Sequence, residues 1–346
     1  MSLFSIQIHP AFHGDTISIL FNKQTNCILI DTGTKKSYLK GGLKEQLKRI
    51  QKVDLLILTH TDEDHIGGIL KYYEDNDRKT KLFNDVWFNT EHLISSNLKL
   101  ETKYECQIQV TDCDNLNISL KQGLTLEKCL LKDDILPYQL ITSGKTYKIF
   151  SAQIQILSPN IDDLIEFHKQ WETEKDYNLE VAYKTDYNLT ISRLLENNYT
   201  ENGTLANKSS IAFIFNYKDK KILLMGDAFP SVIEKNIRKL GYNESNKLKL
   251  EAVKVSHHGS KNGMSPNLLN IIDCDKFVIS TNGGNGLPSK ECLARIATHK
   301  KEKVLLYFNY ENENTKSIFF NFEYEKYNFE VVYLNDNNNY TIELGE

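Results

Sequence analysis

Apolar residues in this chain fall into short runs of strand length, separated by stretches with helical spacing. Phe4 to Ile8 and Thr16 to Phe21 predict two strands joined by the turn from Pro10 to Asp15, and Cys27 to Ile30 predicts a third that ends in Asp31-Thr32-Gly33-Thr34. Leu39, Leu43, Leu47 and Ile50 recur at the period of an amphipathic helix. Val53 to Leu58 is a continuous aliphatic run bounded by polar residues, which suits a buried strand, and Val86 to Asn89 is another.

Residues 97–150 carry little pattern, but Ala152 to Leu157 alternates as a half-buried strand and stops at Ser158-Pro159. The polar stretch 160–205, with helical spacing at Ile161, Leu164, Ile165 and Trp171, predicts an insertion over one edge of the domain. Trp171 is expected in a satellite core, with a substrate groove as the other reading. Strands follow at Ile211 to Tyr217, Lys221 to Met225, Ala252 to Ser256 and Lys276 to Ser280, with helices after the second and fourth. The tail, 304–346, alternates at Ile318, Phe320, Phe322 and Tyr324, and predicts extra antiparallel strands closing a second sheet. Strands followed by helices occur once in each half and no internal repeat is present, so the reading is a single α/β domain over 1–346.

Composition narrows this only a little. The chain has 346 residues, 40% hydrophobic and 25% charged, as in an ordinary globular protein. A net charge of −4 offers no broad basic surface for nucleic acid, although divalent cations in a cleft would reverse the local sign. None of the six cysteines forms a Cys-x-x-Cys pair, and several sit in apolar runs, so free buried thiols are expected. With no signal pattern and no apolar stretch of about 20 residues, the expectation is a cytoplasmic protein without membrane contact.

The chemistry concentrates where the run Val53 to Leu58 stops. His60, Asp62 and Asp64 occupy every second position, with His65 adjacent and Gly67-Gly68 following. In extended backbone, alternate residues share a face and the neighbour points to the other, so one loop can feed two metal ions. Imidazole and carboxylate together suit zinc, manganese or iron, and the two glycines are expected to let the chain turn tightly into a helix. The alternative is a solvated acidic loop with two incidental histidines.

This stretch resembles the His-x-His-x-Asp-His signature of the metallo-β-lactamase superfamily, and more closely the His-x-Asp-x-Asp-His-x-Gly-Gly variant of the ComEC-like branch. Gly226-Asp227 and His257-His258-Gly259-Ser260-Lys261 follow predicted strands in the order of that branch. The resemblance implies a four-layer αββα sandwich and a dinuclear hydrolase, most plainly a phosphodiesterase or nuclease. It assigns one ion to His60, Asp62 and Asp227, the other to Asp64, His65, Asp227 and His258, with Asp227 bridging. His257 completes either shell or meets substrate, Lys261 neutralises phosphate, and Asp64 and His257 count with Lys261 as catalytic candidates. Asp31 braces the metal loop, and Asn207, Ser209 and Ser210 support the site from behind.

Asp62 in place of the usual second histidine adds an oxygen donor, which shifts the expected pair of divalent ions from zinc towards manganese or magnesium. His92 stands where other members of the superfamily carry a further ligand and is read here as a surface residue. The chain departs from the branch at Gly286-Leu287-Pro288, where relatives have Gly-His-Pro. That leaves two alternatives, an ester, thioester or amide hydrolase of the same fold, and a metal-bound binding module with impaired turnover. Phrases such as Ile279 to Gly283 and Leu293 to Ile296 also resemble stand-alone hydrolases of AVAST-type bacterial antiviral systems, which implies an NTPase partner.

Overall fold

Consecutive strand residues in this molecule bury against different layers, and the architecture follows from that. The computed structural model describes residues 4–102, 118–173 and 184–345. In chain order the strands are β1 (Phe4–Ile8), β2 (Ile17–Phe21), β3 (Asn26–Ile30), β4 (Leu55–Ile57) and β5 (Val86–Trp87). Next come β6 (Thr146–Ile149), β7 (Ala152–Ser158), β8 (Ala212–Tyr217), β9 (Lys220–Leu224), β10 (Leu248–Lys249) and β11 (Ala252–Lys254). The last are β12 (Ile272–Asp273), β13 (Lys276–Ile279), β14 (Val304–Phe308), β15 (Phe329–Tyr333) and β16 (Thr341–Gly345). One sheet has the order β16-β1-β2-β3-β4-β5 and the other β15-β14-β13-β11-β9-β8-β7-β6, with β10 and β12 paired apart.

Period-two geometry sorts the side chains. Ile28, Ile30, Leu55 and Ile57 of the first sheet meet Ile154, Ile156, Phe213 and Phe215 of the second in one buried cluster. Leu29, Leu56 and Leu58 face the other way, onto the helices Leu43–Arg49 and Glu63–Glu74. On the far side, Ile214, Leu223, Val253 and Phe277 pack with residues of the helices Pro230–Lys239, Pro266–Ile271 and Lys290–Thr298. The result is the expected four-layer αββα sandwich. Strands covered on both faces read as continuous apolar runs, which is why Val53 to Leu58 shows no alternation.

Several expectations are corrected. The helix read through Leu39 and Ile50 is two helices, Lys35–Lys40 and Leu43–Arg49, because Gly41-Gly42 interrupts them and Gly42 takes a left-handed φ of 85°. Leu39 is exposed, so its place in the apparent period was coincidental. A helix, Ile118–Lys132, lies in the stretch that carried little pattern. The tail differs most. β14 and β15 extend the second sheet in parallel, and β16 crosses to pair antiparallel with β1 in the first. Phe320 to Tyr324 is no strand, since the helix Asn321–Lys326 runs there. Its buried member is Glu323, paired with the buried Lys290 at 2.8 Å, while Phe322 points outward.

In the stretch 160–205, the helix Ile161–Thr173 buries Leu164 and Phe167 in a satellite cluster with Leu93, Ile94 and Leu120. The side chain of Trp171 lies outside the described residues. Cys27, Cys274 and Cys292 are buried free thiols, and Cys106 and Cys113 lie outside the described residues. No helix among the described residues is long and apolar enough to cross a membrane.

Phe215 is fully buried between the sheets, its ring centroid 5.6 Å from that of Phe4 and 5.3 Å from that of Phe21. Phe215→Ala should lower stability by about 3–5 kcal/mol in urea unfolding, and a midpoint equal to the parent's would contradict the inter-sheet packing.

Candidate metal centre

The site forms at the carboxyl ends of parallel strands, where side chains from different segments converge. After β4, the backbone N–H and hydroxyl of Thr59 each donate to the buried Asp31 carboxylate at 2.8 Å. His65 Nδ1 donates to the same carboxylate at 2.7 Å, which turns Nε2 inward. Asp31 thus braces the loop, as expected. Asp62 is the N-cap of the helix Glu63–Glu74, so Asp64 and His65 sit on the first helical turn. The expectation of strand-like alternation through Asp64 is corrected accordingly. Gly67 and Gly68 also serve differently from the tight turn expected of them. They lie inside that helix, and a Cβ on Gly68 would come within 2.0 Å of the Thr32 carbonyl oxygen. Their smallness lets the helix lie against residues 32–35.

The second sheet supplies the rest. Two residues past β9 comes Gly226, whose left-handed φ of 49° turns the chain so that the Asp227 N–H donates to Ser210 Oγ at 3.1 Å. Beyond β11, His257 and His258 both adopt left-handed backbone, at φ 48° and 53°, a conformation uncommon for side-chain-bearing residues. His258 Nδ1 donates to the Ser280 carbonyl at 3.0 Å, and Asn207 Nδ2 donates to His257 Nδ1 at 3.3 Å. Asn207 and Ser210 therefore back the site, while the Ser209 hydroxyl serves its own turn by donating to Ala206.

Six of the seven metal-ligand candidates gather around His65 and Asp227, and the seventh joins them through His60. His65 Nε2 lies 3.4 Å from Asp227 Oδ1, and His258 Nε2 lies 3.2 Å from Asp64 Oδ2 and 3.9 Å from Asp227 Oδ2. His257 Nε2 is 3.8 Å from Asp227 Oδ2. His60 joins through its ring, with centroid 4.2 Å from that of His65. The seventh, Asp62, sits at the rim, with Oδ2 3.4 Å from His60 Nε2 and Oδ1 accepting from Ser119 at 2.7 Å.

Ligand atoms of His60, His65 and Asp227 gather within 4.8 Å of one another, as do those of Asp64, His65 and His258. His65 takes part in both groups. His60 Nε2, His65 Nε2, His258 Nε2 and Asp227 Oδ1 are all buried and without a hydrogen-bond partner. Buried polar atoms are ordinarily paired, so four orphans of imidazole and carboxylate type facing one space fit a divalent cation.

Burial alone would push the histidines toward neutrality. For His65 the charges of Asp227, Asp31 and Asp64 outweigh burial and hold its pKa well above the ordinary value. For His258, burial is likewise outweighed, by Asp15 and Asp227, and the pKa stands at about 9. Burial raises Asp227, but His65, His258 and His257 overcome it and keep the carboxyl well below its usual range.

Asp15 and Lys254 escaped sequence reasoning as site residues. Lys254 is buried and forms an ion pair with Asp15, whose other oxygen lies 3.4 Å from His258 Nδ1. A lysine inside the apolar run Ala252 to Val255 was the signal. The other candidates sit apart. Lys261 is half exposed with Nζ 3.3 Å from Glu291, and His92 is exposed on the helix Glu91–Leu98.

Residues 14–77 match the model of the metallo-beta-lactamase superfamily. The fold is that of the metallo-β-lactamases. The matched segment holds Asp15, Asp31 and the loop from His60 to His65, and ends before Asp227 and the histidine pair. A hydroxyacylglutathione hydrolase of Serratia proteamaculans (strain 568) is 39% identical over 70 residues, covering 20% of this chain and 25% of that protein. The chain thus aligns with about a quarter of the length of this curated relative. The metallo-beta-lactamase fold protein YhfI from Bacillus subtilis aligns over 96% of each chain at 10% identity and a TM-score of 0.39. Zn(2+)-bound PqqB from Methylobacterium extorquens aligns over 93% of this chain and 85% of its own, at 11% identity and a TM-score of 0.41.

A raised histidine pKa means that the folded state gains stability below the unfolded value, 6.5, and loses it as pH climbs through the folded value, about 9 for His258. Metal-free protein in EDTA should therefore melt at a lower temperature at pH 9 than at pH 6.5. Thermal denaturation at the two pH values checks this, and an equal or higher melting temperature at the alkaline end would refute it.

Proposed function

We propose that this chain is a metal-dependent hydrolase of phosphodiesters, with nucleic acid as its substrate class. The observation that carries the reading is the set of four unpartnered buried atoms, on His60, His65, Asp227 and His258, brought to one space from three strand ends. The residues that would hold two divalent ions are those the resemblance assigns, His60, Asp62 and Asp227 for one and Asp64, His65, Asp227 and His258 for the other. Bound there, the ions would supply an acidified water and a Lewis acid for the scissile group.

The chain's own residues do the rest. Asp31 and Ser280 fix the His65 and His258 rings through Nδ1, so that both present Nε2 inward. Asp62, Asp64 and Asp227 make the site rich in oxygen donors, which favours manganese or magnesium and supports a phosphodiester over a neutral amide. His257, 39% exposed and oriented by Asn207, is the cluster's histidine open to solvent and meets the substrate. Lys261 is half exposed, and reaching a phosphate requires its amine to exchange Glu291 for the ligand.

A second reading, hydrolysis of a glutathione thioester, draws on the Serratia relative's name, across the quarter of that protein that aligns. Purified protein should be assayed with manganese, magnesium or zinc on bis-p-nitrophenyl phosphate, single- and double-stranded DNA, RNA and a hydroxyacylglutathione. Cleavage of phosphodiesters with manganese or magnesium, abolished in Asp227→Asn, is the expected outcome. Turnover of the thioester alone would replace this reading with the second.

Asp31→Asn leaves the metal-facing residues in place but weakens the acceptor for His65. It should lower activity or metal affinity by about 10–100-fold, the usual loss when a ligand's outer partner is removed. Titration of manganese against activity measures this, and parental affinity and rate in the variant would remove Asp31 from the site's support.

A further inference from the structure

Outside the metal centre lies a groove of about 1130 Å³. Its floor is the outer face of β1 and β2 with Cys27 of β3, where Gln7 and Ser18 stand beside Leu20, while Leu29, Leu56 and Val86 further across the sheet turn toward the helix layer. The helix Leu43–Arg49 and residues 50–52 make one wall, and residues 336–340 the other. The two five-residue strands of the floor set its length at about 17 Å, taking about 3.4 Å per residue.

Phe12 and Tyr310 stand at one end of the groove, the Tyr310 hydroxyl accepting the Phe12 N–H at 2.7 Å, and from Phe12 the chain runs on to residues that contact the metal loop. The Phe12 carbonyl accepts from Asn282 at 2.8 Å, and three residues further along the Asp15 N–H donates to the Asp64 carbonyl at 3.2 Å. The wall is also fixed to the floor. His9 Nε2 lies 2.7 Å from Gln46 on the helix and 2.9 Å from Ser18 on β2.

The lining has a particular chemistry. Lys40, Arg49 and Lys52 are exposed along it, and among the described residues none of them forms an ion pair. Of the two acids present, Glu45 is 3.5 Å from Lys48, which leaves Asp336 against three cations in a chain whose net charge is −4. Phe12, Tyr310 and Tyr340 are half-buried and supply ring faces. Spaced cations with aromatic faces recognise a phosphate backbone whose bases are unstacked, whereas a duplex hides those faces.

We propose that this groove binds a single-stranded oligonucleotide and leads its backbone past Phe12 to the metal centre, an assignment that rests on the phosphodiesterase reading. The test uses fluorescence anisotropy of a labelled oligothymidylate with the full chain in EDTA, so that binding is read without turnover, beside hydrolysis of bis-p-nitrophenyl phosphate with manganese. The triple variant Lys40→Glu, Arg49→Glu, Lys52→Glu should weaken oligonucleotide binding at least about tenfold, and flatten log Kd against log salt by about 0.7 for each phosphate that is no longer neutralised. Its turnover of the small substrate should be unchanged. Phe12→Ala should weaken binding without altering the salt slope, and Arg49→Glu alone should act in the same direction as the triple variant should that variant fail to fold.

Parental binding in the charge variants, or equal competition by duplex DNA, would overturn the proposal. Groove-dependent binding with no phosphodiester cleaved would keep the groove and remove the catalytic reading. Cleavage of the small phosphodiester without oligonucleotide binding would do the reverse.

Discussion

The carboxylate of Asp31 is the constraint on which the first half of the site depends. It is wholly buried and accepts three hydrogen bonds, two from Thr59 and one from His65. Those bonds stitch the end of β3 to the loop after β4 and leave His65 one free ring nitrogen, facing the cluster. A buried carboxylate with fewer donors would be costly, so the loop geometry and the burial of Asp31 require each other. The second sheet uses a different device for the same end. Asp15, buried and paired with Lys254, stands beside His258, whose ring hydrogen goes to the Ser280 carbonyl.

These two braces rest on the packed layers behind them. The inter-sheet cluster holds β3 and β4 against β8 and β9, so residues far apart in sequence reach the same space from opposite sheets. The left-handed backbone at His257 and His258 is accompanied by hydrogen bonds from Asn207 to the His257 ring and from the His258 ring to the Ser280 carbonyl. Such strain is sustained only where surrounding contacts over-determine it. Within the cluster, His65, His258 and His257 hold the buried Asp227 carboxyl below its usual range, and the neighbouring carboxylates hold His65 and His258 above theirs. A cation entering the site therefore competes with protons, which ties metal affinity to pH.

Much of this was legible in the chain. The positions of β1 to β5, β7 to β9, β11 and β13, the ligand-type residues at strand exits and the bracing role of Asp31 followed from period, residue chemistry and resemblance. What escaped has physical reasons. Gly41-Gly42 broke a helix whose apolar spacing ran on across the gap. Phe320, Phe322 and Tyr324 alternated like a strand, yet Glu323 between them is the buried residue, because it accepts from the Ile191 and Phe320 backbones and pairs with Lys290. Apolar period measures average burial and cannot register a charge that is buried because it is paired.

Residue order alone determined that three strand exits carry metal-type ligands, since strands and their ends are local matters of period and turn chemistry. Only the tertiary structure decided which atoms face one another. It made His65 common to both groups, sent Lys261 to Glu291, put Asp15 beside His258 and left the sheet face of Gln7, Ser18 and Leu20 open beside Phe12. Those outcomes depend on how two sheets close over a shared core, a long-range packing result that no local window of the chain contains.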